Sequence, residues 1–347
     1  MMIDTRPISV LVVDDSALYR TLLTKIIAEQ PDMRVAGHAV DPFDAREKIK
    51  QLNPDVVTLD VEMPGMDGLS FLEKIMTLRP MPVVMVSTLT ARGTETAIAA
   101  LQIGAIDCLG KPVSHQPDEL DVFANQVTSK IRAAAGARLQ LARRFAPATS
   151  HAPRALRPDA PKVLAFGAST GGVEALTAIL RELPGNCPPM VITQHMPPLF
   201  TASFAARLSK ICAFSVREAQ HGELLKSGDA LIAPGGLQMR IQGKSQYRIE
   251  LAAEGPVSGH APSVDVLFES VAAHAGASAV GIILTGMGKD GAAGLLTMRQ
   301  SGAETMGQDE TSCVVYGMPK AAFDCGAVAQ QLPLGKMAAA LEKKCFV

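Results

Sequence analysis

Asp55-Val56-Val57-Thr58-Leu59-Asp60 is a run of β-branched and aliphatic residues that ends on a carboxylate. It lacks the alternation of a half-buried strand and therefore predicts a strand covered on both faces. Similar runs occupy residues 10–13, 35–40, 83–87 and 106–109, and stretches of helical period lie between them at 17–30, 44–52 and 68–78. Strands alternating with helices predict a doubly wound parallel sheet, which binds its ligands at the carboxyl ends of the strands. Asp14, Asp15, Asp60, Ser87 and Lys111 all fall at those ends or just beyond them.

These residue types suit one chemistry. Mg²⁺ takes oxygen ligands in an octahedron and keeps some of its waters. Asp15, Asp60 and a backbone carbonyl near Glu62 would supply three oxygens, with Asp14 binding through water. Lys111 would present a point positive charge to phosphoryl oxygens. The Ser87 hydroxyl would turn toward a new phosphate on Asp60 and draw its loop inward. Taken singly, an Asp-Asp pair is a solvated surface feature and Gly-Lys-Pro a surface turn. Their coincidence at matched strand ends favours the pocket.

From about residue 8 to 126 the chain resembles the response-regulator receiver family. The likeness rests on Val12-Val13-Asp14-Asp15-Ser16, on Leu59-Asp60-Val61-Glu62-Met63-Pro64-Gly65-Met66-Asp67-Gly68 and on Gly110-Lys111-Pro112. It implies a flavodoxin-like fold and an Asp60 that accepts phosphate from a histidine kinase. Cys108 stands where that family often has an aromatic residue, so coupling of Ser87 to an aromatic rotamer is not implied.

A helical stretch at 118–141 leads into residues 145–161, where Pro147, Pro153, Pro158 and Pro161 predict a semi-extended, Pro/Ala-rich linker. A second alternating pattern then begins. Its strands are expected at 163–167, 190–194, 230–233, 279–285 and 304–307. Its helices are expected at 172–183, 200–211, 263–275, 291–300 and 335–344, with a hairpin over 239–242 and 247–251. The fold class is thus α/β, two doubly wound parallel-sheet domains, the second Rossmann-like. The divisions are 1–126, a helical extension and linker at 127–161, and 162–347.

Val163-Leu164-Ala165-Phe166-Gly167-Ala168-Ser169-Thr170-Gly171-Gly172 reads as strand, tight turn and helix. Ser169 would project from the sheet edge beside the free N–H groups of a helix N-terminus, which suit a developing oxyanion. The motif alone equally fits a phosphate cradle. A serine nucleophile needs a base, and His195 ends the next strand in Gln194-His195-Met196-Pro197; His260 is the rival. The orienting acid should end a third strand. Asp290 in Thr285-Gly286-Met287-Gly288-Lys289-Asp290-Gly291 fits, although it could simply cap the helix that follows, and Asp265 is the weaker choice. The order Ser169…His195…Asp290 differs from the Ser…Asp…His order of α/β-hydrolases, which suggests a convergent triad on a different sheet.

With these motifs and Pro262-Ser263-Val264-Asp265, the whole chain is similar to the two-domain chemotaxis protein-glutamate methylesterase family. The resemblance implies hydrolysis of glutamate methyl esters on receptor signalling helices and, in some members, deamidation of glutamine there. Thr170 and Met287 would hold the oxyanion. Phosphate on Asp60, with Mg²⁺ as the receiver's cofactor and none for the esterase, would lift a block of the Ser169 strand ends by the receiver. Ala261 stands where the family often has Arg.

Composition bounds the alternatives. The 33 basic and 34 acidic residues divide 18 and 19 before Lys162 and 15 and 15 from it onward. Neither part has the basic excess of a nucleic-acid binder, which disfavours a transcription regulator. Six scattered cysteines without a C-x-x-C pair predict reduced thiols. No apolar stretch reaches the roughly 20 residues of a membrane span. The expectation is a cytoplasmic monomer whose partners are chemoreceptors and a histidine kinase.

Overall fold

The computed structural model describes residues 6–63, 66–88, 91–112, 116–137, 154–244 and 246–347. The chain divides into two compact units, Met1–Arg143 and Arg144–Val347. Most of the proline-rich linker expectation (145–153) lies outside the described residues, as does Ser245 in the hairpin turn.

In the first unit the elements are β1 (Ile8–Val13), α1 (Ala17–Ala28), β2 (Met33–Ala39), α2 (Pro42–Leu52), β3 (Val56–Asp60), α3 (Gly68–Leu78), β4 (Val83–Ser87), α4 (Ala91–Ile103), β5 (Asp107–Gly110) and α5 (Pro117–Ala135). The sheet order is β2-β1-β3-β4-β5, and every pairing is parallel. All five residues of β3 are buried, as its unbroken apolar run requires. The turn after β3 folds back so closely that a Cβ on Gly68 would lie 2.0 Å from the Asp60 carbonyl oxygen, so only glycine fits there.

The reading that ends the receiver at 126 cuts α5 in half. The helix continues to Ala135, and Val127, Ile131 and Ala134 beyond that point are fully buried. Packing against the sheet, which local sequence does not reveal, holds the helix in the first unit. The far end of the expected linker likewise belongs to the second unit. Leu156 bridges to Phe346, Arg157 N donates to Cys345 O at 2.9 Å, and Arg154 pairs with Glu342 at 3.0 Å.

The second unit contains β6 (Val163–Ala168), α6 (Gly172–Leu180), β7 (Met190–Gln194), α7 (Phe200–Ser209), β8 (Ser215–Glu218), β9 (Asp229–Ile232), β10 (Gln238–Gln242), β11 (Arg248–Ala252), α8 (Val264–Ala275), β12 (Ala279–Ile283), α9 (Ala292–Gln300), β13 (Glu304–Gln308), α10 (Met318–Asp324), β14 (Gln330–Leu332) and α11 (Leu334–Cys345). Seven strands form a parallel sheet in the order β14-β13-β12-β6-β7-β9-β8. The short edge strands β8 and β14 and the helix α10 escape the sequence reading because they are too brief to show a period. β10 and β11 form the expected antiparallel hairpin. Its Ile241 N donates to Ser270 Oγ on α8 at 3.0 Å, which ties the hairpin to that helix.

The strand order reverses direction at β6, which lies between β12 and β7. Helix α8 packs onto β6 where Gly167 removes any side chain: a Cβ there would lie 2.2 Å from Val264 Cγ1 and 3.1 Å from Phe268 Cζ. Gly167→Ala is therefore expected to destabilise the second unit by about 1–3 kcal/mol through overpacking, measured by urea unfolding of the full chain. Unchanged stability would mean that α8 does not depend on this close approach.

Candidate active site

Three strand ends meet at the reversal. Ala168 and Gln194 are register partners on β6 and β7, and His195 N donates to Ala168 O at 3.0 Å. The next residue on each strand, Ser169 and His195, therefore sits side by side on strands spaced about 4.8 Å apart. On the other flank, Ser169 N donates to Thr285 O beyond β12 at 3.0 Å. Gly171, at φ 78°, turns the chain into α6, a left-handed conformation that favours glycine. Gln194 Nε2 donates to Ser169 O at 2.9 Å and braces the turn.

The buried His195 ring lies 2.8 Å from Asp290 Oδ2 through Nε2. Its Nδ1 is buried and has no hydrogen-bond partner among the described residues, Ser169 included. Asp290 is buried at the N-terminus of α8. It accepts from Ser263 Oγ at 2.8 Å, Val264 N at 2.7 Å and Asp265 N at 3.1 Å. Burial alone would raise its pKa. The bond and charge of His195, with the α8 amides, outweigh burial and hold Asp290 well below the usual carboxylate range. The capping alternative for Asp290 thus takes an unexpected form: its carboxylate bonds the amides of α8, while α9 follows Gly291 without a side-chain cap.

Asp265, the weaker choice, makes a different bond. Its Oδ1 accepts from Gly294 N at 2.8 Å, linking α8 to α9. Burial first, then its proximity to Asp290, pushes it up to about 6. Thr170 is buried beside Ser169, and its carbonyl accepts from Thr285 Oγ1 at 3.0 Å. Met287 follows Gly286, whose backbone approaches so closely that a Cβ there would stand 2.8 Å from Ser169 Cβ. Both expected oxyanion positions therefore flank the serine.

His260, the rival base, makes a different contact. Its ring stacks on His195 with centroids 3.7 Å apart and planes 10° from parallel. It covers one face of the imidazole. Val257 and His260 exchange two backbone bonds of 2.9 Å, closing a tight turn with Gly259 at φ 82°. Gln238, fully buried, donates to His260 O at 3.0 Å, and its Oε1 accepts from Ser263 N at 2.8 Å. One side chain thereby ties the turn to the residue that bonds Asp290. Ala261 lies between these two anchors. Ser263 was legible as a helix start, but nothing local marked Gln238 or the stacking.

In the first unit, Asp14, Asp15 and Asp60 place carboxylate oxygens within 4.8 Å of one another, with Asp14 and Asp60 buried and Asp15 exposed. An all-oxygen donor set of this kind fits a hard divalent cation. Lys111 Nζ lies 2.7 Å from Asp60 Oδ2 and 2.9 Å from Asp14 Oδ2. Burial pulls Lys111 down, but the attraction of the two acids prevails and raises it. Burial, with repulsion from Asp14, pushes Asp60 up to about 6 despite Lys111. Tyr19 on α1 lies under Lys111, with Nζ 4.5 Å from its ring centroid, and donates its hydroxyl to Pro112 O at 3.2 Å. Glu62 N donates to Asp60 Oδ1 at 3.3 Å. Ser87 ends β4 opposite Gly110, and its side chain lies outside the described residues, as do Pro64 and Gly65. All six cysteines are free thiols; burial pushes Cys108 up to about 12, which leaves it unreactive at neutral pH. No described helix is long and apolar enough to cross a membrane.

Residues 164–341 match a protein-family model described as CheB methylesterase, and residues 10–121 match the response regulator receiver domain. The chain belongs to the CheB methylesterase family. It is a chemotaxis response regulator joined to a carboxylic ester hydrolase. It is 56% identical over 332 residues to the protein-glutamate methylesterase/protein-glutamine glutaminase 1 of Rhizobium johnstonii, which covers 94% of each chain. It is 54% identical to the protein of the same name from Caulobacter vibrioides, covering 95% of this chain and 96% of that one. The Thermotoga maritima CheB methylesterase catalytic domain superposes with a TM-score of 0.52 at 34% identity, over 53% of this chain and 98% of the other.

Two outcomes are expected from this geometry. Burial and Asp14 push Asp60 up to about 6 in the folded chain, above the ordinary carboxylate at 3.8. The folded state therefore binds more protons between those values, and stability falls as the pH rises through that window, by up to about 3 kcal/mol. Without divalent cations, Asp60→Asn should raise the melting temperature at pH 7.5 and change it little at pH 4; an equal shift at both pH values would contradict this. For the stacked pair, His260→Ala should lower esterase kcat by about tenfold or more with little change in KM. His260→Phe, which keeps a ring on the His195 face, should restore most of the loss. Equal activity of the Ala and Phe variants would show that the stack does not position His195.

Proposed function

We propose that the second domain hydrolyses glutamate methyl esters on chemoreceptors, in the cytoplasm, by a Ser169-His195-Asp290 triad, and that phosphate on Asp60 switches it on. The observation that supports the reading is the division of labour on His195, with Nε2 held by an ionised Asp290 and a buried Nδ1 without a hydrogen-bond partner among the described residues, on the strand whose register sets His195 next to Ser169. The ionised carboxylate favours the tautomer with its proton on Nε2, so the Nδ1 lone pair is the base.

His195 Nδ1 takes the Ser169 proton as Oγ attacks the ester carbonyl. Backbone N–H groups of Thr170 and Met287 hold the oxyanion. The C–O bond to the methoxy group breaks, and His195 returns the proton so that methanol leaves. Water, deprotonated by the same nitrogen, then cleaves the acyl-serine and frees the glutamate. A glutamine amide follows the same course with ammonia as the leaving group, consistent with the second activity in the relatives' names.

In the receiver, Asp60 is the phosphate acceptor and a histidine kinase the donor. Asp14, Asp15 and Asp60 would hold Mg²⁺, which offsets the charge of the incoming phosphoryl group. Lys111 would move from Asp60 Oδ2 to a phosphoryl oxygen, and Ser87 would turn toward it. Release of a receiver block over the Ser169 strand ends would couple the two domains.

Methanol release from methylated receptor tests both halves. Ser169→Ala should cost roughly 10⁴–10⁶-fold. A small phosphodonor with Mg²⁺ should raise the rate of the unaltered chain, and Asp60→Ala should abolish that rise alone. Undiminished release from Ser169→Ala would remove the triad, whereas a phosphodonor response that survives Asp60→Ala would remove the switch.

A further inference from the structure

Apart from the chain-terminal Val347, the two most exposed large hydrophobic side chains among the described residues are Leu78, 75% exposed, and Phe43, 66% exposed. They are thirty-five positions apart in sequence yet line one groove of about 520 Å³ between α2 and α3. The buried side chains of Ile49, Phe71 and Ile75 form its apolar floor. Arg46 and Lys50 on α2, with Lys74 and Arg79 at α3, supply four cations, and no carboxylate is among the lining residues. Their charge is little answered. Arg79 donates to Ile49 O and Asn53 Oδ1, and among the described residues Lys74 meets only the Met66 sulfur at 3.6 Å. Arg46 makes no ion pair among the described residues, and Lys50 pairs with an exposed Glu47 at 3.0 Å.

An exposed apolar strip with a one-sign border marks an interaction surface. We propose that the α2–α3 groove docks an acidic amphipathic helix of another protein. Each wall is an 11-residue helix, about 16 Å long, which matches three turns of a partner helix with apolar anchors at i, i+4 and i+7. Charge argues against two other occupants. Residues 138–153 of this chain carry three arginines and no acid. A two-fold contact with a second copy would set the same cations against themselves.

The test is fluorescence anisotropy with the full chain and a labelled helical peptide of about 16 residues, leucines on one face and glutamates flanking them. A peptide with lysine in place of glutamate is the control. Binding is expected to be saturable, weaker at high salt, and at least about tenfold weaker for Leu78→Ser, for Phe43→Ser and for the pair Arg46→Glu with Lys74→Glu. Melting temperature and phosphodonor labelling of Asp60 should stay as in the unaltered chain, which separates docking from folding. The proposal is overturned if the acidic peptide does not bind, if the lysine peptide binds equally, if all the variants bind as the unaltered chain does, or if sedimentation shows a dimer that Leu78→Ser dissolves.

Discussion

The second domain is organised around one buried carboxylate. Asp290 receives the Val264 and Asp265 amides, the Ser263 hydroxyl and the His195 ring, so its charge is answered on every side. A buried carboxylate without such donors would take up a proton. The contact therefore requires α8 to begin beside the β12–α9 loop. That position in turn requires α8 to lie tight on β6 over Gly167. Packing of a helix on a strand and ionisation of an acid are here one constraint.

The first domain holds an acid at a comparable strand end and reaches the opposite electrostatic result. Asp60 is buried next to Asp14, with one backbone N–H at 3.3 Å and the shared Lys111 ammonium to offset the charge. It is pushed up to about 6, whereas Asp290 is held down. The number of donors facing each carboxylate separates them. Asp290 is a permanent anion suited to orienting an imidazole. Asp60 is short of positive charge, which a cation, a proton or a rearranged lysine relieves.

Much of this was legible in local sequence. β3, β4 and β7 begin and end as read, because a strand covered on both faces is built of aliphatic residues and Thr and meets a more polar residue only at its carboxyl end. The Gly-rich turns after β6 and β12 announced themselves because few residue types tolerate their backbone. The limits came where meaning depends on distant partners. The helix at α5 was read, but the division drawn through it at 126 was not where the structure divides, because the sheet beneath its last turns assigns them to the first unit. His260 was ranked as a possible base because a sequence shows a histidine in a turn but not the ring against which it lies. Gln238 carried no signal at all, since a buried glutamine on a hairpin strand looks like any edge residue until its three partners are in place.

The sequence by itself determined the two alternating patterns, the family to which they belong and the strand ends that carry Asp60, Ser169, His195 and Asp290, because period and turn chemistry are local properties. Only the tertiary structure decided which nitrogen of His195 faces Asp290, which helix Asp290 caps, and that Phe43 and Leu78 share one groove. Those facts depend on which surfaces pack together, and packing is settled by the whole chain rather than by any stretch of it.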